Sequence, residues 1–329
     1  MKRRMVLAAL GWAGAMALAP LRAIATVREL EPIELPSGFQ YPNGIARAED
    51  GTLYVGSVLS GRLLRIQANG QIEEFFPGNE EIFAVTSLRL DEARGILWGA
   101  SPDVLGTRQP NGEVVRRPHR IFAIDSRSGQ VLQVILMPEG GFGNDLALDP
   151  QGGLYVTDTA QPRIHYLPPG ATQLQTWAED ERFRTQLRFG LSGIAYRDDG
   201  ALWVSMYSEG RLFLVTSQAA GRPKVEEIEL PRKIDGSDAI QLAADGSLMM
   251  IEGGIEGGNG RLLQLNGLEP GAKPEFEVLA EGMNLPVNLT VAGQEIWVTE
   301  SLFRHRLVPG QENAIPDRFF IRRFWVSSI

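Results

Sequence analysis

The sequence predicts an all-β fold: a six-bladed β-propeller of four-stranded antiparallel blades around a central channel. Three observations predict it. An arginine directly before Leu or Ile recurs six times, in Gly61-Arg62-Leu63, His119-Arg120-Ile121, Pro162-Arg163-Ile164, Gly210-Arg211-Leu212, Gly260-Arg261-Leu262 and His305-Arg306-Leu307. An eleven-residue interval separates Asn43 from Tyr54, Asn144 from Tyr155, Ser192 from Trp203 and Asp238 from Met249. The 37 Gly and 20 Pro supply frequent turns, and no segment carries a long apolar stripe at helical spacing. A unit of about 45 residues is the period of a propeller array, not of one irregular core.

The elements follow in chain order. Lys2, Arg3 and Arg4 precede an apolar run over 5–18, and Ala23-Ile24-Ala25 supplies a small-residue cleavage site. This reads as an export signal over 1–25, cut after Ala25. The run is short and broken by Gly11 and Gly14, which argues against a membrane span, and the Arg3-Arg4 pair resembles a twin-arginine leader. The remainder, 26–329, is expected to be one propeller domain, periplasmic or secreted, with no membrane span after cleavage. Residues 29–35 and 318–326 alternate like strands at the two ends, and one of them must pair with the sixth blade to avoid an open edge; the N-terminal stretch is favoured.

Between the ends, NGIARAEDGTLYV, NDLALDPQGGLYV, SGIAYRDDGALWV and DAIQLAADGSLMM each read as strand, Gly-containing turn and strand. The copy at 86–98 is one residue longer, and LTVAGQEIWV has a shorter turn. The repeated arginines should open the third strands and bond to or stack on neighbouring blades. A short helix is expected only within 179–186. Insertion 101–118 lengthens the loop after the second strand of blade two by about fourteen residues. Residues 253–259 lengthen the same loop in blade five. Both loops should overhang the channel mouth, where long loops on a rigid scaffold commonly carry specificity.

Charge and composition narrow the function. Of 32 basic residues four lie in the first 25, leaving 28 against 40 acidic residues and a net charge of −12. Such a domain is repelled by nucleic-acid backbones and anionic lipid, so a small-molecule partner and a monomer are expected, with no nucleic acid. There is no cysteine, hence neither disulfide nor thiolate chemistry. No Gly-x-Ser-x-Gly elbow is present, and His119, His165 and His305 fall near third strands, away from the axis.

Propeller topology brings two rings of side chains to one mouth. The inner ring is formed by residues opening the first strands: Asn43, Thr86, Asn144 with Asp145, Ser192, Asp238, and Asn288 or its neighbour Val287. The outer ring comes from the ends of the second strands: Ser57, Asp103, Asp158, Tyr207, Glu252 and Glu300. Oxygen donors dominate both, as a hard cation such as Ca²⁺ requires, whereas the His and Cys of a zinc site are missing. Such residues are also common at strand starts because they bond nearby backbone.

The blade text resembles the regucalcin and gluconolactonase family, with weaker similarity to paraoxonases, strictosidine synthase-like proteins and streptogramin lyases, over nearly all of 38–305. The resemblance implies a divalent cation at the channel mouth that polarises a lactone or ester carbonyl. FGNDLALDPQGGLYV matches the segment that places a metal-ligating Asn at Asn144 and a paired acid at Asp145; GSDAIQLAADGSLMM places Asp238 as ligand and base. Two positions depart from the family: Asn43 stands where it has Glu, and Ser192 where it has a second Asn. The expected metal donors are therefore Asn144, Asp238, Asn43 and Ser192, with Glu300 reaching in. Asp238 or Asp145 would carry the proton, and Thr86, Asp103, Asp158, Tyr207, Glu252 and Asn288 would shape the pocket. A propeller that has lost catalytic charge and serves as a binding scaffold is the alternative. Streptogramin lyase-like chemistry would need histidines near the axis, and this sequence does not place them where that family has them.

Overall fold

The computed structural model describes residues 26–219, 221–327 and 329, so the expected export signal lies outside the described residues. Six four-stranded antiparallel sheets ring a channel. Blades one to five run from the channel outward: Pro42–Arg47, Leu53–Ser57, Leu63–Ile66 and Ile72–Phe76 in the first; Ser87–Asp91, Ile96–Ser101, Arg120–Asp125 and Val131–Leu136 in the second. The third holds Gly143–Leu148, Leu154–Asp158, Arg163–Leu167 and Gln175–Glu179, and the fourth Leu191–Tyr196, Leu202–Met206, Arg211–Thr216 and Lys224–Glu227. The fifth holds Ser237–Leu242, Leu248–Glu252, Gly260–Asn266 and Glu275–Met283.

The sixth blade takes its inner strands, Pro286–Ala292 and Glu295–Glu300, from the end of the repeat and closes with both chain ends. Phe320–Val326 is its third strand and Val27–Glu34 its outermost, paired from Val27 opposite Val326 to Glu34 opposite Phe320. The favoured N-terminal closure is met. The sixth arginine motif is not: Arg304–Arg306 is a 3-10 turn inside a long connection between the second and third strands. The only other described 3-10 turns are Pro138–Gly140 and Glu181–Phe183, the latter within the predicted helical stretch.

Apolar packing fills the seams between blades. Tyr54 and Leu63 of blade one meet Leu88, Leu97 and Phe122 of blade two, and equivalent clusters join each successive pair. The closing seam packs Ile45, Val55 and Leu64 against Val287, Trp297 and Ile321. The repeated arginines serve both within their blade and between blades: Arg211 also donates to the Arg182 carbonyl in the connection from blade three, and Arg306 stacks 5.5 Å over the ring of Tyr41, which leads into blade one. Arg62 pairs with Glu74, Arg163 with Glu179 and Arg211 with Glu227, in each case a carboxylate on the adjoining outer strand. Side chains at this edge of the sheet are partly solvated, so these pairs add little net stability and chiefly fix the outer strand's position.

Deleting residues 26–34 would leave Phe320–Val326 as an unpaired edge and expose the face covering Ile321 and Phe324. The expected result is a fall in melting temperature on the order of 10 °C, equivalent to about 4 kcal/mol in a domain of this size, with concentration-dependent self-association. Thermal melts and size-exclusion chromatography check both, and an unchanged melt would contradict this account of closure.

Candidate functional site at the channel mouth

The first strands do not run straight into the mouth. Five of the six change register within their opening residues: between Pro42 and Ile45, Gly143 and Leu146, Leu191 and Ile194, Ser237 and Ile240, and Pro286 and Asn288. These are β-bulges, which re-aim side chains where a ladder ends. At four of the six openings the bulge or its equivalent delivers a polar side chain to one cavity: Asn43, Thr86, Asn144 and Asp238. The cavity is small, about 60 Å³, and open to solvent. In blade six the register selects Val287 for the lining, while Asn288 turns inward, donating to the Thr86 carbonyl at 3.0 Å and accepting from the Leu289 N–H at 2.9 Å.

Ser192 does not reach the cavity. It is fully buried, with its hydroxyl donated to the Ser237 carbonyl and 3.1 Å from Ser205 Oγ. The strands of blades four and five approach so closely here that a Cβ on Gly193 would lie 2.4 Å from the Asp238 carbonyl oxygen. Ser192 itself is enclosed, its hydroxyl held between the Ser237 carbonyl and Ser205, so the larger Asn which the resemblance would have placed at 192 would overpack this site.

Asp145 points away from the cavity as well. Its carboxylate accepts from Ser87 Oγ at 2.6 Å, from Arg89 at 2.9 and 3.1 Å, and from the Leu146 and Ile194 N–H groups at 2.9 and 3.1 Å. It ties blades two, three and four together, with its oxygens fully engaged.

The expected outer ring has a different job from lining a pocket. Asp158 accepts the Phe142 N–H at 2.8 Å, Glu252 the Asp235 N–H at 2.8 Å and Glu300 the Asn284 N–H at 2.7 Å, so each carboxylate pins the loop that leads into its own blade's first strand. Ser101 does the same for Phe83 and Ala84 in blade two. Asp158 also faces the buried His165 at 3.1 Å, and Glu252 binds Arg232 and Arg261. Burial works to raise the Glu252 carboxyl, but Arg232, the Asp235 N–H and Arg261 outweigh it and hold the group low; Glu300, with less compensation, is raised by burial. Asp103 organises the inserted loop by accepting from the N–H groups of Gly106 and Arg117. None of Asp103, Asp158, Glu252 and Glu300 lines the cavity; Tyr207 does.

Asp238 is the exception among these acids. Among the described residues no hydrogen-bond donor and no cation meets its carboxylate. Burial first, and the charge of Asp145 second, push its carboxyl well above the usual range. Tyr207 stands beside it, its hydroxyl raised chiefly by burial and further by Asp238. Asn144 donates its Nδ2 to Thr159 Oγ1 at 3.0 Å, which leaves Oδ1 as its free end. A lone carboxylate with the oxygens of Asn43, Asn144 and Thr86 fits a hard cation in donor chemistry, with one formal charge where tighter oxygen sites use more. Among the described residues no three His, Cys, Asp or Glu side chains cluster as a metal site.

The upper cavity comes from residues the sequence reading did not single out. Phe142 and Phe189 precede the first strands of blades three and four, and Phe303 and Leu307 come from the long sixth-blade connection. The inserted loop adds Val104 and the blade-five loop Ile255, so both loops do overhang the mouth as expected. A repeated Phe-Gly pair just ahead of the inner strand, Phe142-Gly143 and Phe189-Gly190, was the available signal. His119, His165 and His305 lie outside the lining, against Gly141, Asp158 and Tyr41 respectively.

Neither a protein-family model nor a curated protein matches this chain by sequence. Solved structures do match it. A gluconolactonase from Xanthomonas campestris is 15% identical, with a TM-score of 0.60 over 93% of this chain and 99% of its own. Virginiamycin B lyase from Staphylococcus aureus is 16% identical, with a TM-score of 0.58 over 92% and 99%. The PQQ-bound aldose sugar dehydrogenase from Streptomyces coelicolor is 16% identical, with a TM-score of 0.58 over 93% and 99%. The chain shares their six-bladed fold. The resemblance to gluconolactonase propellers expected from the blade text is thus met in three dimensions, and likeness at this identity speaks for architecture, since one propeller hosts many chemistries. No helix among the described residues is long and apolar enough to cross a membrane.

The unpaired Asp238 carboxylate has a consequence for stability. Its folded pKa lies above the unfolded value, so the native state holds the extra proton between the two and stability falls as pH rises through that window. Without added cation, Asp238→Asn should remove this slope and melt a few degrees above the wild type at pH 8, about 1 kcal/mol in a domain of this size. Melts from pH 4 to pH 8 test it; parallel curves for the two proteins would show that the carboxylate is not strained.

Proposed function

We propose that this protein is an exported, metal-assisted hydrolase of lactones or related esters, with its reaction centre on the floor of the channel-mouth cavity. The observation that carries the proposal is the uncompensated Asp238 carboxylate facing the same cavity as Asn43, Asn144 and Thr86. A half-buried carboxylate that the fold leaves without a partner, on the wall of an open cavity, is available to a ligand. Asn43, Asn144 and Asp238 would hold a divalent cation such as Ca²⁺, with Thr86 Oγ1 beside them. Such a cation, when bound, polarises an ester carbonyl and makes water a better nucleophile. Export to the periplasm is the compartment that the 1–25 signal supports.

The chain's own groups supply the rest. Asp238 is placed to accept the proton of an attacking water and return it to the leaving alkoxide, which in a lactone stays attached to the product. Asp145, bonded on every side, is assigned a supporting part: it anchors three inner strands and its charge raises the proton affinity of Asp238. Asn43 and Asn144 orient the carbonyl end of the substrate over that carboxylate. A non-catalytic binding scaffold is the second reading, favoured by the single carboxylate left at the axis after Glu300 and Asp145 are committed elsewhere.

Calcium at a hundred times its dissociation constant should stabilise the wild type by about 2.7 kcal/mol, on the order of 5 °C here, and leave Asp238→Asn unmoved. The same substitution should lower kcat/KM on a lactone about 10²- to 10⁴-fold while the far-ultraviolet spectrum is retained. Equal calcium responses in the two proteins would take the cation away from Asp238. A calcium response without hydrolysis of any lactone or ester would leave the scaffold.

A further inference from the structure

We propose that the cavity selects apolar substrates, lactones or esters bearing an alkyl or aryl group, and disfavours polyhydroxylated sugar lactones; for the reaction, though not for binding, this rests on the hydrolase reading above. The lining divides by origin, strand openings supplying the polar groups and connections most of the apolar ones. The four oxygen- and nitrogen-bearing floor residues, Asn43, Thr86, Asn144 and Asp238, all come from the openings of inner strands. Around them the wall is hydrocarbon: Phe142, Phe189, Val104, Ile255, Phe303 and Leu307. Nine of the fourteen lining residues are aliphatic or Phe, and the aromatic Tyr207 stands with the floor group Asp238.

Backbone groups could in principle serve hydroxyls where side chains do not. Seven of them are already engaged. The Val104 carbonyl accepts from Arg116 at 2.7 Å and the Ile255 carbonyl from Arg304 at 2.6 Å. The Phe142 N–H is held by Asp158 and its carbonyl by the Thr159 N–H; the Phe189 N–H goes to Ser208 Oγ. The Leu285 carbonyl accepts from the Ser301 N–H, and the Phe303 carbonyl from the Arg306 N–H. A sugar lactone seated with its carbonyl on the floor would press its remaining hydroxyls against a wall with little hydrogen-bonding capacity to offer, and their water would be lost without replacement. An alkyl chain loses nothing there and is released from water.

The test compares δ-valerolactone, δ-decalactone and glucono-δ-lactone as substrates with calcium present, and binding of δ-decanolactam and glucono-δ-lactam, the non-hydrolysed amide counterparts, by calorimetry. The expected result is kcat/KM rising about three- to fourfold per added methylene until the cavity is full, with δ-decalactone preferred over the sugar lactone by at least 100-fold. Ile255→Asn and Val104→Ser, both in partly exposed loops, should each lower the ratio of δ-decalactone to δ-valerolactone rates; two loops guard against one variant misfolding. Preference for glucono-δ-lactone would overturn the inference and keep the hydrolase. Hydrolysis of no lactone, with δ-decanolactam bound more tightly than glucono-δ-lactam, would keep the apolar cavity and discard the hydrolase. Binding of neither lactam, or tighter binding of the sugar lactam, would overturn the inference outright.

Discussion

Closure of the ring is the constraint on which this structure depends. Each blade exposes two apolar faces, and only a neighbour on both sides can cover them, so an arc short of six blades leaves two flanks bare. Closing the ring forces the first strands into a narrow tube and brings Asn43, Thr86, Asn144 and Asp238 from four blades within one cavity. The bulges complete the delivery. A strand in regular register would alternate its side chains between the two seams, and an extra residue at the opening turns one of them toward the axis.

Polar groups at the mouth divide by whether the fold uses them. Asp158, Glu252 and Glu300 hold down entry loops, Asp145 knots three inner strands, and Ser192 fills a tight crossing. Each is bonded to a partner from the chain. Asp238 has no such employment: half-buried on the wall of an open cavity, its carboxylate meets no donor from the described chain. That freedom is why this residue carries the functional argument and its better-bonded neighbours do not.

Periodicity made the architecture legible. Equal spacings such as Asn43 to Tyr54 and Asn144 to Tyr155 mark real hairpins, with Ala46 opposite Tyr54 and Ala147 opposite Tyr155. Spacing also marked the strand openings of Asn43, Thr86, Asn144 and Asp238, while Ser192 and Asp145, equally marked, turn away from the cavity. It could not tell which way a side chain turns, and so the outer-ring acids were expected in the cavity when they face their own loops. Arg306 shows the other limit: a dipeptide can match the repeat while the chain is still crossing between strands, because the true third strand, Phe320–Val326, carries its arginines at Arg322 and Arg323 in mid-strand. Phe142, Phe189, Phe303 and Leu307 went unread because each lies in a connection, where no period applies.

The pairing of Val27–Glu34 with Phe320–Val326 sets an order of events. Thr26 and Ser327 bond to one another across 301 positions of chain, Thr26 N–H to Ser327 Oγ at 2.9 Å and Ser327 N–H to the Thr26 carbonyl at 3.0 Å. Contacts so distant in sequence form late and slowly. A ribosome-bound chain that has made five blades therefore carries two uncovered apolar flanks and a waiting edge until its final residues emerge. Holding that incomplete arc apart from its copies is a task for chaperones, and the same adjacency of the ends means that a short covalent link between them could move the opening of the chain to another blade.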